Sequence, residues 1–217
     1  MSAFSPVDRL VGLYTGALAS TLLRDFDRAA RATDDALALL GTMGAVAQGP
    51  ARQAVAHLGI RLALQRGQTE RASAALALLP AEPRANQLLR AEVALVDGRP
   101  AVLQASAEAL QTWVSEHRDD ATAWLLLSQT SQQLGQRLRA LRADAESQAA
   151  LGNLPGAIDR LRAGPPLARG GAGGGTAART DFIEASVIDA RLRDLLAQRR
   201  ELAAEQRRGG QRDTPPE

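Results

Sequence analysis

One spacing recurs along this chain and restricts its fold more than any bulk property does. Gly67 precedes Ala72 by five residues, Gly135 precedes Ala140, and Gly152 precedes Ala157; in RDFDRAA, Arg24 precedes Ala29 with arginine in the glycine slot. A glycine that ends one helix takes the left-handed conformation, which costs other residues about 1 kcal/mol, and an alanine one turn into the next helix lets two backbones approach. The spacing therefore predicts short helices joined by tight turns, with small side chains at their crossings. Two features strain a simple repeat: Gly98 is followed five on by Leu103, and Gly152 comes only 17 residues after Gly135. The second is accommodated if the eighth helix serves two pairs, behind the seventh and in front of the ninth.

Gly67 and Gly135 lie 68 residues apart, twice the 34-residue period of helix-turn-helix repeats of tetratricopeptide (TPR) type. Trp124, Leu127 and Ser128 precede Gly135 at the spacings where such repeats carry an aromatic, a large aliphatic and a small residue. Aromatic residues are only 3% of a chain dominated by Ala and Leu, which favours closely packed helices over a sheet of β-branched strands. The expected fold is all-α, a TPR-like helical-repeat solenoid of about ten helices.

Glycine and proline punctuation sets the helix limits. The sequence predicts helices over Pro6–Leu23, Asp25–Leu40, Ala51–Arg66, Gln68–Leu79, Arg84–Val96, Pro100–Glu116, a seventh capped by Asp120 and running to Leu134, Gln136–Leu151 and Leu154–Arg162, taken in consecutive pairs, with GTMGAVAQGP as a loop. Residues 1–163 form the repeats and 164–180 a Gly/Pro-rich connector. Residues 181–208 form a long C-terminal helix, with Asp181 and Glu184 spaced as a capping box, that covers the end of the repeats; residues 209–217 form a disordered tail.

Several chemistries have no residues to support them. The chain has no Cys and no Lys, and its 26 basic and 24 acidic residues are interspersed, so no basic footprint for nucleic acid is present. His57 and His117 stand sixty residues apart outside any His-Glu-x-x-His pattern, and His117 is placed to meet helix-end carbonyls. Adjacent Asp34–Asp35 and Asp119–Asp120 point apart. Gly170–Gly175 lacks the Lys and Ser/Thr of a phosphate loop. Arg191, Arg193, Arg199, Arg200, Arg207 and Arg208, interleaved with acids, read as a solvated face. No catalytic residue, metal ligand, cofactor or small-molecule substrate is assigned, and the chain reads as a non-enzyme. No apolar run reaches the roughly 20 residues of a membrane helix. LVGLYTGALASTLL, preceded by Asp8 and Arg9, reads as an amphipathic first helix rather than an export signal.

What remains is surface. In the repeat register the front helices line a groove, with Tyr14, Leu18, His57, Arg61, Glu92, Gln129, Gln132 and Gln133 pointing into it, suited to a protein edge or an extended peptide. Arg61 is the expected carboxylate anchor.

The pieces AWLLLSQ, LRALRADAE, GNLPGAIDRL and SVIDARLRDL, in that order across residues 113–202, resemble the C-terminal TPR region of BepA-type periplasmic zinc metalloproteases. That resemblance implies docking to outer-membrane protein assembly machinery and a periplasmic setting in envelope protein quality control. The family's protease domain and its His-Glu-x-x-His are absent, so no catalytic residue carries over. The implied role is a stand-alone scaffold or the substrate-recruiting half of a metalloprotease encoded upstream; with Met1 as the true start, the expectation is a cytoplasmic protein.

Overall fold

A computed structural model describes residues 5–43, 45–77, 79–80, 83–164 and 176–212. Among these, ten helices and no strand are present: α1 Pro6–Leu22, α2 Phe26–Thr42, α3 Ala45–Gln65, α4 Thr69–Ala77, α5 Arg84–Asp97, α6 Pro100–Glu116, α7 Ala121–Gln133, α8 Arg137–Ala150, α9 Leu154–Arg162 and α10 Thr176–Arg212. The chain divides into two compact units, residues 1–97 and 98–217. Within each unit, helices adjacent in sequence pack on one another, the arrangement of a helical-repeat solenoid. The boundary between the units falls between α5 and α6, the helices expected to form the third pair.

The turns are built as the Gly/Ala spacing requires. Arg24, Gly67, Gly98, Gly135 and Gly152 all have positive φ, between 62° and 79°. At four of them the next residue's N–H reaches back five positions: Asp25 to Ser20, Gln68 to Ala63, Gln136 to Ser131 and Asn153 to Gln148, at 2.8–2.9 Å. The left-handed residue's own N–H bonds three positions back, which completes a Schellman ending and pairs carbonyls that the helix leaves free. A Cβ on Gly135 would meet nothing within 4 Å, so its glycine is required by backbone conformation and not by space. The partner alanines Ala29, Ala72 and Ala157 are completely buried and Ala140 nearly so. Ser128 Oγ donates to the Ala140 carbonyl at 2.8 Å across the α7–α8 crossing, a distance that only small side chains allow.

In the first unit, Leu10, Ala36, Leu40 and Val55 form one core between α1, α2 and α3, and Ile60, Ala63, Ala72, Leu76, Leu89 and Val93 form another between α3, α4 and α5. In the second, Leu103, Ala107, Leu110 and Val114 of α6 are buried, as are Ala123, Trp124, Leu126 and Leu127 of α7. The α6–α7 turn is tied by both tryptophans: Trp113 Nε1 donates to Asp120 at 2.9 Å, Trp124 Nε1 to the Arg118 carbonyl at 3.1 Å. Asp120 also caps α7 through Ala123 N, as expected, and His117 Nδ1 meets the Trp113 carbonyl at 3.1 Å. Helix α8 packs on both α7 and α9, the shared role that the 17-residue spacing implies.

Three expectations need correction. The loop GTMGAVAQGP is largely helical: α2 runs to Thr42 and α3 starts at Ala45, with Pro50 in its second turn. Proline there removes one backbone bond but does not stop a helix whose later turns are held by Val55, Leu58 and Ile60 in the core. Helix α10 begins at Thr176, inside the expected connector, so Asp181 lies within the helix and cannot be its N-cap; it also extends to Arg212, into the expected tail. The rest of the connector, 165–175, and of the tail, 213–217, lies outside the described residues. Finally, Arg191 is not part of a solvated face. Its guanidinium grips both carboxylate oxygens of Glu146 on α8, at 2.8–3.1 Å.

The long helix covers the end of the second unit, as expected. Ile188 and Leu195 are fully buried against Leu138, Ala145, Ile158 and Leu161. A second pair, Arg142 Nε to Glu184 at 2.8 Å, reverses the polarity of the first, with the arginine now on α8. Where α9 ends, a Cβ on Gly164 would press on Ile188 at 3.0 Å, so glycine admits the isoleucine there.

Candidate functional site

The residues expected to line a groove fall in both units. On the first, α3 is next to both α1 and α5, which brings the odd-numbered helices into one layer. There His57 Nε2 hydrogen-bonds the Asn86 side-chain oxygen, and the Asn86 amide donates to the Pro80 carbonyl at 3.0 Å. One turn on, Arg61 faces Glu92 at 3.8 Å. His57, Arg61 and Glu92 are thus rungs between α3 and α5 before they are contacts for anything else. Arg61 keeps 66% of its side chain exposed, enough to reach a second carboxylate. Tyr14 is half-buried against the α1–α2–α3 core, while Leu18 is exposed. Arg90, which sequence reasoning missed, reaches from α5 to the carbonyl of Leu79 at 2.8 Å and ends α4. Its signal was the usual one, a basic side chain offered to free carbonyls at a helix end, but carried by the following helix.

The other side of α3 carries a cavity of about 480 Å³ between α2 and α4, lined by Thr33, Leu37, Ala56, Gly59, Ala75 and Leu79, with an Arg71–Asp34 ion pair at its edge. It lies open because α2 and α4 each pack closely on α3 and meet across the gap through that ion pair.

In the second unit the same construction recurs with α8 as floor and α7 and α9 as walls. The cleft, about 960 Å³, joins Ser128 and Gln132 of α7, Arg137, Ala140, Leu141 and Asp144 of α8, and Asp159 and Arg160 of α9. Of the three expected glutamines, Gln132 lines it; Gln129 and Gln133 are exposed neighbours on α7. Its electrostatics are largely settled internally, since Arg160 holds Asp144 at 2.9 Å and Arg162 reaches Asp159 at 3.5 Å. Arg137 at the start of α8 is exposed and, among the described residues, has no carboxylate partner, so it can offer its guanidinium to an incoming acidic or carbonyl oxygen alongside Gln132. Gly156 and Ala163 keep the α9 wall low. Asn153 Oδ1 caps α9 through Gly156 N at 3.1 Å, and a side chain at 156 would collide with that cap.

Neither a protein-family model nor a curated protein matches the chain. Among the described residues no group of three or more His, Cys, Asp and Glu is placed to hold a metal ion, and no helix is long and apolar enough to cross a membrane.

Proposed function

We propose that the chain is a non-catalytic scaffold that holds an extended segment of another protein in the cleft walled by α7 and α9. The observation that carries this reading is the cleft itself. Its volume falls in the range of ligand sites, its floor sets Ala140 and Leu141 beside the ion-paired Asp144, and its rim offers Gln132 and Arg137 as hydrogen-bond donors to backbone carbonyls or acidic side chains. A rigid floor favours binding, because α8 is fixed from both sides and the ordering cost falls on the guest alone. From the likeness of residues 113–202 to envelope proteases, we propose protein quality control and outer-membrane protein assembly as the setting, with this chain as the docking part.

The test is site-specific photo-cross-linking. A photoreactive residue at Gln132 should capture a partner from envelope extract that one at exposed Glu108 does not. Gln132→Glu and Arg137→Glu should each weaken capture several-fold. Capture that is equal from both positions, or unchanged in both variants, would sink the proposal.

A further inference from the structure

The cavity between α2 and α4 of the first unit is a trench with two unlike ends. Helix α3 forms its floor, where Ala56 and Gly59 leave room that Leu37 of α2 and Ala75 and Leu79 of α4 line without filling. One end is closed. A Cβ on Gly59 would stand 3.2 Å from the Thr33 methyl, so α2 and α3 meet there, and beside them the Arg71–Asp34 ion pair bridges α4 to α2. Seven residues back along α3, about 10 Å at 1.5 Å per residue, Arg52 and Gln53 stand at the other end. Arg71 is answered by Asp34, whereas Arg52 is exposed and, among the described residues, has no carboxylate partner. The trench therefore carries one uncompensated positive charge, at one end of an apolar trough.

We propose that this trench is a binding site for a small amphiphilic anion, a single aliphatic chain ending in a carboxylate. The shape selects the chain. A cavity of about 480 Å³ lies within the range of small-molecule sites, and here helices wall it on three sides. The Thr33 hydroxyl on its wall already donates to the Ala29 carbonyl at 2.8 Å, so the middle of the trough has no call for a polar guest. The charge selects the head group. The Arg52 guanidinium can hold a carboxylate through two parallel N–H donors, with the Gln53 amide beside it. A cation of the same length would meet Arg52 and find Asp34 engaged by Arg71. A trough of this length matches the extended chain of octanoate. The α7–α9 cleft, in the other unit, differs on both counts, since the ion-paired Asp144 and Arg160 interrupt its apolar surface.

Isothermal titration calorimetry of the full chain with octanoate should show one site. Hexanoate, shorter by two methylenes, should bind about tenfold more weakly, because each buried methylene strengthens binding about fourfold. Octanol, which lacks the charge, and octylammonium, which reverses it, should each bind several-fold more weakly than octanoate. Arg52→Glu should weaken octanoate about tenfold and leave octanol unchanged, since a lost charge contact touches only the anion. Ala75→Phe, which sets a ring in the trough, should abolish binding of both, with circular dichroism confirming that helical content is kept. Leu37→Asp, at a position 38% exposed, repeats that test without added bulk. No binding of octanoate at millimolar concentration, equal affinity for octanoate and octylammonium, or an Arg52→Glu variant indistinguishable from the parent would each overturn the proposal.

Discussion

Helix α10 buries Ile188 and Leu195 on α8 and α9 and ties itself to α8 by two guanidinium–carboxylate pairs of opposite polarity, whereas α1 buries Leu10 and Ala17 on one side and presents Val7, Val11, Leu18 and Leu22 to solvent on another. The two helices are held on their own units by different means. Helix α10 sets Asp189, Arg193, Asp194 and Arg199 on its solvent side, interleaved with Phe182, Ile183, Val187 and Leu202, which are 42–73% exposed. Helix α1 retains an apolar stripe beyond what its own unit covers. What separates the two helices is that the solvent side of α10 mixes charges with its apolar residues, whereas the Val7–Val11–Leu18–Leu22 stripe of α1 carries none.

Substitutions at matched positions sharpen the contrast. The largest effect belongs to Ile188→Ala, which removes a fully buried side chain beneath α10 and should cost about 2 to 5 kcal/mol in chemical denaturation. If the loss is under about 0.5 kcal/mol, α10 is not docked as described. Next is Glu146→Ala, which leaves the half-buried Arg191 guanidinium without its two-pronged partner; about 1 to 3 kcal/mol should be lost. A salt titration that leaves that variant and the parent equally stable throughout would assign the pair no weight. Gly135→Ala imposes a left-handed alanine in an otherwise open position and should lower stability by about 1 kcal/mol, with no change in packing. Smallest of all is Val11→Ala on the α1 stripe, expected within about 0.5 kcal/mol. A loss comparable to that of Ile188→Ala would show that the stripe is buried after all and would erase the difference between the two helices.

The turns were legible because their cause is local. A residue forced to positive φ and an alanine one turn later leave a five-residue spacing, and that spacing survives even where arginine replaces glycine at position 24. There the guanidinium lies 5.9 Å from the centre of the Phe26 ring, a contact that offsets part of the strain. Asp120 and Asn153 were readable for the same reason, since each cap acts within three residues. The groove residues were harder. His57 and Arg61 have the polarity of ligand contacts, but their partners Asn86 and Glu92 lie about thirty residues on, and nothing in the spacing marks them as rungs between helices. Arg142 and Glu184 are separated by 42 residues and a connector, so their pairing depends on where α10 docks rather than on any periodicity. The Asp181–Glu184 motif misled because a spacing that closes a capping box at Ser5–Asp8 also occurs, without meaning, inside a long helix. Arg137 escaped notice since a chain rich in arginine gives no sign of which guanidinium lacks a carboxylate.

The turn at Gly152 repeats that at Gly135 after a single 17-residue rod, whereas the earlier turns stand 31 to 43 residues apart, so at this point one helix rather than a pair separates equivalent turns. Helix α8 is thereby shared, packed by α7 on one side and α9 on the other, so no residue on it answers to one helix pair alone.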